Sequence, residues 1–234
     1  MIHIEHFTFN DFQTRCSVVW DETLECAIVD PGCSSASEIS KVTGFIAGKG
    51  LKPTCIMLTH GHFDHVLGVA GLAVHYARPT DGPDSPATPL PVYMHPADKF
   101  TLENNEYFCR WFGAPLPAPF KTVDVREEGE VSTVKVGGLS FKVIDTPGHT
   151  VGGVCYYEPA EKVLFSGDTL FAGAIGRTDH PGGDYDMIMK SILEKIVTLD
   201  GSVTVIPGHG PCTDIATEGM TNPFLLPFNE PFEE

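Results

Sequence analysis

Four short apolar runs in this 234-residue chain each stop at a polar loop bearing histidine or aspartate. Cys55-Ile-Met-Leu58 stops at Thr59-His-Gly-His-Phe-Asp-His65, and Phe141-Lys-Val-Ile144 stops at Asp145-Thr-Pro-Gly-His-Thr150. Val163-Leu-Phe165 stops at Ser166-Gly-Asp168, and Val203-Thr-Val-Ile206 at Pro207-Gly-His-Gly210. Short apolar runs closed by turn residues read as buried strands. Rigid strands are where a sheet can fix the position of a loop side chain. The pattern therefore demands a fold that brings four distant strand ends to one edge, where His60, His62, Asp64, His65, His149, Asp168 and His209 would converge.

The first loop is the most specific. Three histidines and one aspartate within six positions arise by chance in about one chain in a thousand of this composition. Gly61 allows a tight turn between His60 and His62. Imidazole and carboxylate suit zinc first, and also iron or manganese, while the absence of thiolate from the set argues against a structural zinc site. Seven candidate ligands exceed the three typical of one catalytic zinc, which favours two divalent ions. Asp168 is the candidate bridge, since a carboxylate has two oxygens to share.

The rest of the chain alternates strands and helices. Strands are expected near 2–9, 16–20, 26–30, 55–58, 92–94, 122–126, 131–136, 139–145, 152–157, 161–166 and 203–206. Asp30-Pro-Gly32 closes the third with turn chemistry. Ser35-Ala-Ser-Glu38 fits a capping box that opens a helix to about Gly48, with Ile39, Val42, Phe45 and Ile46 on one face. Further helices are expected from Asp64 through Ala73, over an aromatic-rich 97–112, and over 184–199, where Ile188, Ile192 and Ile196 recur. This order predicts an α/β sandwich of two sheets between helices, in a single domain spanning 1–234. Residues 79–91, with five prolines, are expected to form a loop, and 211–234 a Pro/Phe-rich tail able to pack on its own domain or on a second copy.

A net charge of −16 gives no footprint for nucleic acid or an anionic membrane, which leaves a small-molecule substrate. Seven cysteines, an odd number with no C-x-x-C pair, suggest reduced thiols. With no signal-like N-terminus and no apolar span, the expectation is a cytoplasmic protein.

With its motif and the later His149, Asp168 and His209, the sequence resembles the metallo-β-lactamase superfamily, and within it the short single-domain glyoxalase II (hydroxyacylglutathione hydrolase)-like proteins of bacteria. The resemblance runs to about Gly210. It implies a four-layer αββα sandwich of two mixed sheets flanked by helices. It implies one metal on His60, His62 and His149, a second on Asp64, His65 and His209, and Asp168 between them. The implied activity is cleavage of a thioester of the hydroxyacylglutathione type by a hydroxide held between the metals. Asp64 would also orient that hydroxide, and Arg177 would hold a substrate carboxylate, a surface salt bridge being its other reading. The sequence departs from the family at Asp179, where a tyrosine is usual. It also has only 25 residues after His209, where longer members carry a helical domain. Antibiotic hydrolysis is not expected.

Thr59, Asp145 and Ser166 are candidates for supporting the ligating histidines from behind. His3, His6, His75, His95 and His180 lie outside the ligand pattern, with His180 set apart because it follows Arg177. Two rival readings share the ligands. One is a mononuclear-iron persulfide dioxygenase using His60, His149 and Asp168. The other is a metal-binding or electron-transfer module without hydrolytic turnover.

Overall fold

The computed structural model describes residues 1–79 and 86–226. Along the chain come β1 (His3–Phe9), β2 (Thr14–Trp20), β3 (Glu25–Val29), α1 (Ala36–Lys49), β4 (Lys52–Met57), α2 (Phe63–Val66) and α3 (Val69–His75). The short ribbon β5 (Arg78–Pro79) and β6 (Ala87–Thr88) precedes β7 (Val92–Met94), α4 (Lys99–Glu103), α5 (Asn105–Phe112) and β8 (Val123–Asp124). Then follow β9 (Thr133–Val136), β10 (Leu139–Asp145), β11 (Val154–Glu158), β12 (Val163–Gly167) and the ribbon β13 (Leu170–Phe171) and β14 (Ala174–Ile175). The chain closes with α6 (Tyr185–Ser191), β15 (Thr204–Pro207), β16 (Thr213–Asp214) and α7 (Ile215–Thr221).

Two mixed six-stranded sheets result, in the orders β1-β2-β3-β4-β7-β8 and β16-β15-β12-β11-β10-β9. Strand periodicity explains how they stack, because successive residues point to opposite faces. In β2 to β4, Val18, Ile28 and Ile56 turn outward, where Val42 and Ile46 of α1 and Leu72 of α3 cover them. Their neighbours Val19, Ala27, Val29, Cys55 and Met57 turn inward and meet Phe141, Tyr156 and Phe165 of the second sheet. The far face of that sheet, with Leu164 and Val205, is covered by Ile188, Ile192 and Ile196. Helix, sheet, sheet and helix are thus the four expected layers.

Several local expectations are refined. Ser35 caps α1 and accepts from the Glu38 amide, but the Glu38 carboxylate returns to Ser34 and to the Asn10 amide rather than to Ser35. The helix expected from Asp64 to Ala73 is two helices. At Gly68 the chain packs against residues 31–33, so closely that a Cβ would lie 2.8 Å from the Pro31 carbonyl, and its amide bonds that same carbonyl. The 184–199 helix passes from α6 into a π-helical stretch, Ile192–Ile196.

The part of the tail within the described residues forms β16 and α7, the latter capped by Asp214, and Leu225 is fully buried. It therefore packs on its own second sheet; residues 227–234, like 80–85 of the proline-rich loop, lie outside the described residues. Among the described residues no helix is long and apolar enough to cross a membrane. All seven cysteines are free thiols, and only Cys212 is exposed.

Gly148 fixes the loop that presents His149. Its φ is +134°, and a Cβ there would fall 2.2 Å from the Ile188 backbone nitrogen. Neither the strained backbone nor the main chain of α6 can give way cheaply. Gly148→Ala is expected to cost about 3 kcal/mol. A thermal melt should show Tm lower by about 6–12 °C.

Candidate metal centre

The four strand ends do meet. β12 and β15 run parallel and adjacent, so Asp168 and His209 leave the same edge side by side, joined by Gly208 N–H donating to Gly167 O at 2.9 Å. The end of β4 faces them from the other sheet. The Val154 amide donates to Thr59 O at 2.8 Å and the Tyr156 hydroxyl to Leu58 O at 3.1 Å, which ties the sheets together just behind the cluster. Gly61 is clamped on both sides: its amide donates to the buried Asp98 carboxylate and its carbonyl accepts from Asn105 Nδ2 at 2.9 Å. Asp98 also accepts from the Gly152 amide at 3.0 Å, locking the first loop to the loop that carries His149.

Within the cluster, His62 Nδ1 lies 2.9 Å from His149 Nε2, and His65 Nε2 lies 3.2 Å from His209 Nε2. Two triads, His60–His62–His149 and Asp64–His65–His209, each have candidate ligand atoms within 4.8 Å of one another. Asp168 reaches both: Oδ2 is 3.6 Å from His149 Nε2 and 3.4 Å from His209 Nε2, and Oδ1 is 3.4 Å from His65 Nε2. All seven predicted residues are therefore brought together, with Asp168 between the triads.

The outer nitrogens of His60, His65, His149 and His209 are tied down, which sets what their inner ones can do. Thr59 Oγ1 donates to Asp30 Oδ2 at 2.6 Å, so toward His60 Nδ1, 3.1 Å away, it accepts. His60 Nε2 then carries a lone pair, and it is buried without a hydrogen-bond partner, as is Asp168 Oδ1. His65 Nδ1 donates to the same Asp30 carboxylate at 3.1 Å, His149 Nδ1 to Arg177 O at 2.8 Å, and His209 Nδ1 to Phe12 O at 2.9 Å. Thr14 Oγ1 donates to Asp64 Oδ2 at 2.8 Å. Orphaned inward lone pairs and held outer N–H groups are the donor set a divalent cation requires.

Of the three supporting residues expected, Thr59 alone serves. Asp145 accepts instead from the Glu127 amide at 3.0 Å, and Ser166 donates to Leu170 O at 2.8 Å, so neither holds a clustered histidine. Asp30 was missed. It ends the run Cys26-Ala-Ile-Val29 as the ligands end theirs, and its φ of +45° turns the carboxylate beneath Thr59. Asp98 and Asn105 were also missed, on a segment whose aromatic content dominated its reading.

The electrostatics of the metal-free cluster are those of an internal salt bridge. Burial opposes charge on His65, but Asp64 and Asp168 outweigh it and push the imidazole up to about 9. Burial likewise opposes His209, which hydrogen bonds to Asp168 and Asp64 raise to about 11. Asp64, against its own burial, is drawn down to about 2 by His65 and His209, and Asp168 falls well below the usual carboxylate range. His60 and His62 are held low by burial, then by neighbouring imidazoles.

The depressed carboxylates contribute stability that is present above their ordinary value of 3.8 and lost as pH falls toward 2. The raised imidazoles contribute stability that is complete below 6.5 and lost as pH rises through about 9 and 11. Chelator-stripped protein is therefore expected to be most stable between those limits and to lose Tm above the upper one. Metal needs unprotonated imidazole, so its contribution should grow over the same interval. Melts of stripped and loaded protein from about pH 5 to 9 check this, and a gap that narrows with pH contradicts it.

Above the cluster opens a cavity of about 650 Å³, with the cluster as its floor. His180 faces it, its ring centroid 4.9 Å from that of His62 and 5.1 Å from that of His149. Arg177 stands at the rim. Its Nε and Nη2 donate to the two oxygens of Asp179 at 2.9 and 3.1 Å, and both side chains are about 70% exposed.

Residues 9–83 and 85–209 match the sequence profile of the Metallo-beta-lactamase superfamily. The chain is 35% identical over 225 residues to hydroxyacylglutathione hydrolase GloC of Haemophilus influenzae, covering 96% of this chain and 98% of that protein. BLEG-1 B3 metallo-beta-lactamase superposes with a TM-score of 0.82 at 32% identity, over 95% of this chain and 99% of that one. TTHA1623 in a di-iron-bound form does so at 0.78 and 34%, over 94% and 100%.

Proposed function

Because the chain belongs to the metallo-β-lactamase superfamily and is a metallo-hydrolase by that membership, we propose that it hydrolyses thioesters, as the hydroxyacylglutathione-type reaction does. One observation carries the reading: two ligand triads share Asp168 on the floor of an open cavity. His60, His62 and His149 would hold one divalent ion, and Asp64, His65 and His209 the other. Bound ions supply Lewis acidity there and bring the pKa of water toward neutrality. Asp64, fixed at Oδ2 by Thr14, orients the attacking water over the cluster. The thiolate leaving group needs no proton from the chain, since thiols ionise near 8.5. Zinc, iron and manganese all suit the donor set, and the di-iron form of TTHA1623 supports iron alongside zinc. Six buried free thiols support a reducing compartment such as the cytoplasm.

Purified, metal-analysed protein should release thiol from simple thioesters, lose that activity on chelation and regain it on adding metal back. A β-lactam belongs in the same panel, because BLEG-1 is a B3 metallo-beta-lactamase. Turnover of the β-lactam alone, or oxygen uptake with glutathione persulfide in place of thiol release, overturns the proposal.

A further inference from the structure

Hydrolysis at the cluster makes no use of the cavity's walls, which are aromatic. Phe12 meets Phe63 edge-on at 5.0 Å and Phe112 edge-on at 5.2 Å, forming an interlocked wall from three separate segments. Phe108 stands edge-on to His62 at 4.9 Å, so the apolar surface is continuous with the metal centre itself. At the mouth, Tyr107 is 54% and Trp111 75% exposed. Charge points the same way. Among the described residues lining the cavity, Arg177 is the only lysine or arginine, and Asp179 already occupies the Nε/Nη2 edge of its guanidinium. The chain as a whole carries −16.

We propose that this cavity is a subsite for a bulky, uncharged, apolar arm of the substrate. The preferred thioesters then carry an alkyl chain or aromatic ring on one side of the scissile bond, rather than only small hydroxylated or anionic groups. The inference rests on the thioester reading for its reaction, and on the walls for its specificity. A cavity of 650 Å³ is far larger than a short hydroxyacyl group fills, and pockets of this size generally enclose whole ligands. Aromatic surface left in water gains by covering, at roughly fourfold in affinity for each methylene buried.

Two series test it. One varies the acyl group on a single small thiol, from acetyl through hexanoyl to phenylacetyl. The other varies the thiol on a constant acetyl group. In one series kcat/KM should climb by about fourfold per methylene until the cavity is full. Trp111→Ala combined with Phe112→Ala should cut that slope by more than half. A slope of zero or below in both series, or a loss equal across every chain length, overturns the proposal. A binding readout separates it from the reaction. The chain has two tryptophans, Trp20 and Trp111, so Trp20→Phe leaves Trp111 as sole reporter. Its fluorescence should respond to hexanoate, phenylacetate or hexanethiol and stay silent with acetate. If that response appears but no thioester is cleaved, the hydrolytic reading fails and the subsite stands. If thioesters are cleaved without chain-length dependence and Trp111 is silent, the subsite fails and the hydrolytic reading stands. Sedimentation provides one more arm. A wild-type dimer that the double variant converts to monomer would make this face a contact between two copies and overturn the proposal.

Discussion

Asp168→Ala is expected to lower kcat/KM for the proposed thioester hydrolysis by about 10³-fold, ~4 kcal/mol of barrier, while the chain still folds. Asp168 is the only one of the seven clustered residues that approaches both triads through a carboxylate, contacting His149, His209 and His65 within 3.6 Å. If Asp168 bridges two ions as proposed, removing it would take one ligand from each site. Metal analysis should show fewer ions per chain than wild type. A second readout distinguishes this from general damage. Asp168 is a principal cause of the raised His65 and His209 values, so the alkaline loss of Tm in stripped protein should shrink in the variant. Full metal content with near-wild-type turnover would show that the two triads act without a bridge.

Asp30→Ala should reach the centre without touching a metal ligand's inner face. Asp30 accepts from the Thr59 amide at 2.8 Å, from Thr59 Oγ1 and from His65 Nδ1. Alanine leaves these buried donors bare, at about 1–3 kcal/mol for each one left unsatisfied. The expected total of about 3 kcal/mol lowers Tm by about 6–12 °C. Metal affinity should fall about 10–100-fold, because the orientation of His60 and His65 is no longer enforced. Asp30→Asn separates the causes: asparagine tolerates the left-handed backbone at this position yet cannot accept from all three donors. Competition with a chromophoric chelator should place it between wild type and Asp30→Ala. An Asn variant as weak as the Ala variant assigns the effect to the carboxylate charge, and one equal to wild type assigns it to the backbone.

Legibility in the sequence followed the physics of each feature. The ligands could be read because they crowd into one loop or close an apolar run beside a glycine. Both are local patterns, and strand ends are where they matter. Asp30 obeyed the same rule but was absorbed into a turn, since Asp-Pro-Gly has its own sufficient explanation. The partners of His149 and His209 are the carbonyls of Arg177 and Phe12, and a backbone oxygen leaves no mark on residue identity. The break between α2 and α3 depends on Gly68 meeting residues 31–33, a tertiary contact that helical periodicity cannot register. The aromatic wall was visible only in part. The richness of 97–112 was plain, but its meeting with Phe12 and Phe63 required the fold.

The centre draws its groups from both sheets, from His60 at one extreme to His209 at the other. A nascent chain on the ribosome therefore holds no complete pair of sites, however much of the first sheet has already formed. The second site would have to wait until β15 has emerged and docked beside β12, since His209 follows that strand. Ions held there would tie the two sheets together, because the candidate ligands come from loops of both.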